Sequence, residues 1–365
     1  MRISVVIASF TITGVSLAQL RFARALAKRG HDVDLVIGYL NSQHTMPVVE
    51  NVRLLVWNKP KARGMLLPMM QYLRVAKPDL VFSAEDHLNA VVLLAAILSA
   101  SNAKISGSSR VLPSDILAYS NKAFSKGWFL KQAMKAVMWR ADAMTCVSKD
   151  MVEHYRDIFR APPHVCVYNI VVDKQSLARA LEPVDEEWVI RGRYPIVVAA
   201  GTLDTRKGFA DLINALSILS KRRLVRLVIF GEGPLRAALE DLIVKLGLTD
   251  VVTLPGNVDN PLKYFRHADA FVLSSYAEGM PNVLVEAMMC GCTPVATDCP
   301  TGPRELLHDG RCGYLVPLGD PAAMSAAIER ALENPIPGEL LAEAVQPFEE
   351  GAVIERHFEL LGVTG

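Results

Sequence analysis

Ser275-Tyr276-Ala277-Glu278-Gly279-Met280-Pro281-Asn282-Val283-Leu284-Val285-Glu286-Ala287-Met288 sets two glutamates eight positions apart around the start of a helix. Pro281 is read as the first helical residue, where its missing N–H costs nothing. Gly291 is read as the left-handed residue that ends the helix. Glu278 then stands just outside a terminus that presents unpaired N–H groups and about half a positive charge, and Glu286 lies inside the helix. Such a terminus suits a phosphate leaving group, and the flanking carboxylates suit sugar hydroxyls.

Outward from this stretch, strand and helix signals alternate along the whole chain, which is the pattern of parallel sheets with crossover helices. Strands are expected at 3–8, 32–37, 52–56, 80–83, 143–147 and 165–168. A second series restarts at 196–200 and continues at 225–230, 251–254, 270–273, 293–296 and 313–316. Each series makes one doubly wound unit, and 365 residues exceed what a single core fills. The expected domains are 1–172 and 195–345, with a charged linker at 173–194 that contains Pro183 and Glu186-Glu187. A last segment at about 346–365 carries Ile354, Phe358 and Leu361 at helical spacing, an apolar stripe in need of a partner.

The net charge of +1 hides an asymmetry. Over residues 1–172, Lys and Arg outnumber Asp and Glu 21 to 11, and over the rest they are outnumbered 27 to 18. A basic half suits an anionic partner such as a membrane lipid or a lipid-linked phosphate, and it also fits a plain solvated surface. No nucleic-acid-binding module accompanies the charge. Six scattered cysteines do not read as a disulfide framework, so a reduced compartment is expected. Cys290-x-Cys292 lacks zinc spacing. The apolar run 3–8 is read as a strand rather than a secretory leader, and the run 90–100 is too short to span a bilayer.

Together these residues resemble the retaining glycosyltransferases of family 4. The spacing of Glu278 and Glu286 matches that family's Glu-x7-Glu signature. The likeness continues through Gly291, Thr293-Pro294-Val295 and Thr297-Asp298, and back to Gly201-Thr202-Leu203 with Arg206-Lys207-Gly208. It implies an α/β chain of the GT-B fold, with two facing Rossmann-like domains and a terminal helix that crosses back to the first. By resemblance, Arg206 and Lys207 take the donor diphosphate, Glu278 and the backbone of Gly279, Met280, Pro281, Asn282 and Val283 take the sugar, and Glu286 takes the ribose. Gly201, Gly231 and the Asn257-Val258 turn complete the nucleotide pocket, and Pro234 is expected to start the helix after Gly231. The co-substrates implied are a nucleotide sugar, UDP-linked in most such relatives, and a glycan or lipid-linked acceptor. No cofactor or metal is needed, because fixed cations stabilise the departing phosphate.

The first half departs from the family pattern. One glycine, Gly14 in Thr11-Ile12-Thr13-Gly14, stands where relatives carry a glycine-rich loop, and Ala84 occupies the position of a frequent histidine. Glu85, Asp86 and His87 cluster at a strand end and are acceptor candidates together with Arg110. These departures keep open a non-catalytic sugar-nucleotide sensor on the same fold. A nicotinamide dehydrogenase is disfavoured, since no strand leads into Gly-x-Gly-x-x-Gly. From Asn121 to Arg140, lysines alternate with Phe124, Trp128, Phe129 and Trp139. That mixture reads either as an interfacial helix or as a partly buried one, and with the basic half it suggests a cytoplasmic protein peripheral on the inner membrane face.

Overall fold

The computed structural model describes residues 1–10, 14–40, 49–110, 124–159, 161–184 and 194–364. Thr11-Ile12-Thr13, Glu186-Glu187 and Asn121-Lys122, singled out above, lie outside the described residues. The chain divides into two units, one of residues 1–170 with 350–365 and one of residues 171–349.

The first unit holds seven described strands: β1 (Arg2–Phe10), β2 (Asp32–Leu40), β3 (Val52–Val56), β4 (Leu80–Ala84), β5 (Lys104–Ser109), β6 (Ala143–Cys146) and β7 (His164–Cys166). They form one parallel sheet in the order β3-β2-β1-β4-β5-β6-β7. Strand β5 was not expected. Its sequence, Lys-Ile-Ser-Gly-Ser-Ser, is poor in the residues that favour strands. It is a strand because its register with β4 and β6 satisfies the backbone in a buried slot. Gly107 fits closely there, since a Cβ would meet Met144 Sδ at 3.0 Å and Asn89 Cγ at 3.2 Å.

The expected apolar stripe finds its partner in this unit. Val353, Ile354, Phe358 and Leu361 of the Glu350–Leu361 helix join the core formed by β1, β2, β4 and the Gly14–Lys28 helix. The His357 ring lies 5.0 Å from Phe22, and Lys104 Nζ donates to the Leu361 carbonyl at 2.5 Å.

The second unit holds β8 (Ile196–Ala200), β9 (Arg226–Phe230), β10 (Val252–Gly256), β11 (Ala270–Leu273), β12 (Thr293–Thr297) and β13 (Tyr314–Val316). They are parallel in the order β10-β9-β8-β11-β12-β13. Part of the segment read as linker is helical: Lys174–Ala180 starts from a reciprocal cap, with Ser176 N–H to Asp173 Oδ1 at 2.6 Å and Asp173 N–H to Ser176 Oγ at 2.9 Å. Asn260 Nδ2 donates to Arg179 O at 2.7 Å and fixes this helix within the second unit.

All six cysteines are free thiols. Among the described residues, no helix is long and apolar enough to cross a membrane.

Candidate active site

In the second unit β8, β9 and β10 follow one another in one direction across the sheet, and β11, β12 and β13 in the other. The reversal falls between β8 and β11, and ligands of open α/β sheets bind outside the carboxyl ends of strands at such a switch point. Residues from the loops after these two strands meet there: Lys207 Nζ lies 2.6 Å from Glu278 Oε1.

Local geometry dictates the meeting. Asp204 caps a short turn, Thr205–Lys207, by accepting from Arg206 N–H at 2.9 Å. Gly208 then takes φ +60°, where a Cβ would come within 2.1 Å of the Ser274 carbonyl. This close approach locks the loop after β8 onto the loop after β11. Ser274 Oγ donates to Lys207 O at 2.7 Å, and Tyr276 N–H to Arg206 O at 2.7 Å. The Tyr276 hydroxyl donates to Asp211, which pushes the phenol pKa up.

Glu278 is held from three sides. Ser275 Oγ donates to Oε1 at 2.6 Å, Lys207 reaches the same oxygen, and the Thr301 hydroxyl donates to the Glu278 carbonyl. The Arg206 side chain is different, being 60% exposed with Asp204 Oδ2 at 3.5 Å. It projects from the same loop as an exposed cation beside a part-buried one.

The helix Asn282–Met289 begins one residue later than expected. Pro281 is its N-cap, with ψ +85°, rather than its first residue, and Leu284 N–H donates to the Pro281 carbonyl at 2.9 Å. The missing N–H of Pro281 still costs nothing there. The amide of Asn282 folds back onto Met280 O at 3.0 Å, which leaves Gly279, Met280 and Val283 as the amide donors of this segment. Gly291 N–H and Cys292 N–H return to Met288 O and Ala287 O, both at 3.0 Å, and Gly291 has φ +89°, the expected left-handed stop. Glu286 is half-buried on the fifth residue of the helix.

The loops after β9 and β10 adjoin. Gly231 N–H donates to Gly256 O at 2.9 Å, and a Cβ on Gly231 would lie 1.9 Å from the Gly201 carbonyl. Gly201, Gly231, the exposed Asn257 and the half-buried Val258 therefore line the same carboxyl edge. Pro234 does not start the following helix, which runs Arg236–Lys245 from an N-cap at Leu235, because Leu235 N–H first returns to Leu203 O at 2.9 Å.

In the first unit, Gly14 is the exposed first residue of the Gly14–Lys28 helix. Glu85 follows β4 with φ +79°, an uncommon conformation for a non-glycine residue. Burial raises its pKa, while His87 and Arg110 pull it down. His87 Nε2 lies 3.7 Å from Glu85 Oε2. Arg110 Nη1 donates to Asn169 Oδ1, and burial pushes the guanidinium pKa down to about 10. Asp86 does not belong with this group. It is 5% exposed, with one oxygen taken by Ser109 Oγ and the other by Tyr155 OH, each at 2.5 Å. Its chemistry is that of a buried acceptor for two hydroxyls.

Ser275, Tyr276 and Asp211 were given no role in the expected site. Ser275, three residues before Glu278, is the one whose spacing could have disclosed it; Asp211 and Tyr276 are 65 positions apart.

Doubly wound sheets bind their ligands at such a switch point, and this one pairs a cation with a carboxylate there. The two Rossmann-like units are those of the GT-B fold. Residues 13–169 match the family described as "Glycosyl transferase 4-like domain", and residues 182–347 match "Glycosyl transferases group 1". One match falls in each unit, and together they make the chain a group 1/4-like GT-B glycosyltransferase by family.

A glycosyltransferase of Methanocaldococcus jannaschii is 29% identical over 71% of this chain and 67% of its own length. The N-acetylgalactosamine-N,N'-diacetylbacillosaminyl-diphospho-undecaprenol 4-alpha-N-acetylgalactosaminyltransferase of Campylobacter jejuni is 33% identical over 53% of this chain and 52% of its own. A lipopolysaccharide core biosynthesis glycosyltransferase, LpsE of Rhizobium meliloti, is 32% identical over 46% and 49%. The chain thus spans about half the length of the latter two relatives. Among solved structures, HepE of Anabaena in complex with UDP superposes with a TM-score of 0.79 at 19% identity, covering 99% of this chain and 100% of that one. Sucrose-phosphate synthase of Thermosynechococcus elongatus gives 0.75 at 20% identity over 98% of both chains. At those identities the likeness is one of fold.

Proposed function

We propose that the protein is a retaining, family 4 hexosyl- or N-acetylhexosaminyltransferase that uses a UDP-linked sugar and a glycan or lipid-linked acceptor in polysaccharide or glycan assembly. The observation that carries this reading is the Lys207–Glu278 pair at the switch point of the second unit. The ammonium has three donors and Glu278 takes one, so two remain for phosphate oxygens. Arg206 adds a fork suited to the second phosphate. Glu278 offers its other oxygen to sugar hydroxyls, the amides of Gly279, Met280 and Val283 face the same hexose, and Glu286 holds the ribose. UDP occupies the HepE structure, and diphospho-undecaprenol appears in the name of the Campylobacter relative, which supports the choice of donor and acceptor class.

In the reaction, the bond from the anomeric carbon to the phosphate oxygen breaks and the electron pair leaves with the phosphate. The acceptor hydroxyl oxygen bonds to that carbon on the same face, and its proton passes to the departing phosphate. Lys207 and Arg206 stabilise the growing charge in place of a metal, and no protein nucleophile is required. Glu85, His87 and Arg110 of the first unit bind the acceptor.

Attachment to an anionic membrane is the second part of this proposal. The Lys126–Val137 helix and its flanks expose Phe124 by 77%, Phe129 by 55% and Trp139 by 67%, beside Lys126 and Lys135. Aromatic groups and lysines on one exposed segment are the composition of an interfacial anchor.

Incubation with a panel of nucleotide sugars, read by melting temperature and by release of free nucleotide, tests the central claim. A donor that stabilises the protein and is slowly hydrolysed is expected. Binding without nucleotide release would instead identify a sugar-nucleotide sensor.

A further inference from the structure

The first unit contains a small cavity behind the proposed acceptor residues, with Arg110 on its wall. It lies among the start of the Gly14–Lys28 helix, strands β4 and β5, residues 168–170 and the Glu350–Leu361 helix, and about 20 Å³ of it is open to the centre of a water-sized sphere. One water needs roughly 10–15 Å³ on that measure, so there is room for one and little more.

Four polar atoms on its wall are buried without a hydrogen-bond partner: Gln19 Oε1, Ser106 Oγ, Arg110 Nε and His357 Nδ1. Gln19, Ser106 and His357 are each more than nine-tenths buried. They come from two helices and a strand far apart in sequence, yet they line one small space. Buried polar groups are satisfied in the great majority of cases, and four orphans around one cavity specify an occupant rather than a void.

Their chemistry says which occupant. Arg110 Nε–H can only donate, and Gln19 Oε1 can only accept. The Ser106 hydroxyl does either. Burial, and after it the Arg110 charge, hold the His357 pKa down to about 3, so the ring is neutral near pH 7 and Nδ1 accepts when Nε2 carries the hydrogen. Two donors and two acceptors are the complement of one water molecule. An anion would meet the lone pairs of Gln19 and His357, a cation would meet the guanidinium, and an apolar group would satisfy none of the four.

We propose that this cavity is a built hydration site. A bound water accepts from Arg110 Nε–H and Ser106 O–H and donates to Gln19 Oε1 and His357 Nδ1. It thereby links the Glu350–Leu361 helix to the end of β5, where Asn169 already holds the other edge of the Arg110 guanidinium. Nothing in this assignment rests on the transfer reaction.

The test is a crystal structure at about 1.5 Å of the wild-type protein, with a second crystal soaked in sodium bromide. One discrete water peak within about 3.2 Å of at least three of the four atoms, with no anomalous signal, is the expected result. An empty cavity, direct pairing of the four side chains, or an anomalous bromide peak would overturn the proposal; the last would mean that the Gln19 amide is reversed and the site is one for halide. A double-mutant cycle in solution gives an independent reading. Gln19→Leu and His357→Phe each remove one acceptor from the same water. The melting temperature of the double variant should therefore depart by at least about 2 °C from the value expected from adding the two single losses, on the order of the coupling seen between neighbouring sites. Strict additivity would count against the shared water.

Discussion

At the residue scale, the second unit sets a part-buried, paired cation beside an exposed one. Lys207 is held by Glu278 and by a backbone that Gly208 and Ser274 lock in place, while Arg206 reaches into solvent. Lys207→Ala is expected to lower turnover by at least about tenfold, since removing one charge-stabilising donor costs a few kcal/mol; steady-state kinetics on a folded variant would refute the site if turnover were unchanged. Glu278→Ala should blur discrimination among donor sugars, and Glu286→Ala should weaken nucleotide affinity more than sugar choice, which calorimetry with UDP and with UDP-sugars distinguishes. The placement of Lys207 and Glu278 in loops at strand ends was legible because both sit in motifs that follow strands, whereas their pairing with each other was not foreseen. Asp86 was misjudged because sequence places it beside Glu85 and His87 and cannot tell that its carboxylate turns inward to Ser109 and Tyr155.

At the element scale, the strands read most easily are those rich in β-branched residues, such as β1, β2 and β8. Strand β5 escaped because serine and glycine carry no such signal, and its register is imposed by neighbours on both sides. The tight loop after β8 yields a sharper expectation. Gly208→Ala would force an alanine into φ +60° with its Cβ 2.1 Å from a carbonyl oxygen. A loss of at least about 2 kcal/mol in urea unfolding is expected, together with a displaced Lys207 and reduced turnover. The helix Lys126–Val137 poses a separate question, because its exposed Phe129 and its lysines fit a lipid surface. Sedimentation with anionic vesicles at low salt should carry the protein into the pellet, and Phe129→Ser with Trp139→Ser should release it. Equal recovery with neutral and anionic vesicles would discard membrane attachment.

At the scale of the whole molecule, two buried histidines set a limit on acid tolerance. Burial holds His164 down to about 4 and His357 to about 3, against 6.5 when unfolded. Below pH 6.5 the unfolded chain therefore binds protons that the folded chain refuses, and stability falls as pH drops towards 4 and below. For His164 alone the full loss is on the order of 3 kcal/mol. Urea midpoints between pH 7.5 and 4 should decline, and less steeply in His164→Phe; a flat profile would mean that both rings titrate normally.

The path of the chain through its two units also constrains the order of assembly. The first unit is written in two instalments, residues 1–170 and 350–365, with the whole second unit between them. Val353, Ile354 and Phe358 fill a core whose other members were made some three hundred residues earlier, and such distant closure is slow. On a ribosome that emits the chain from its amino end, the later-made unit can finish first, while the earlier-made one waits with an apolar trench exposed until its last helix emerges.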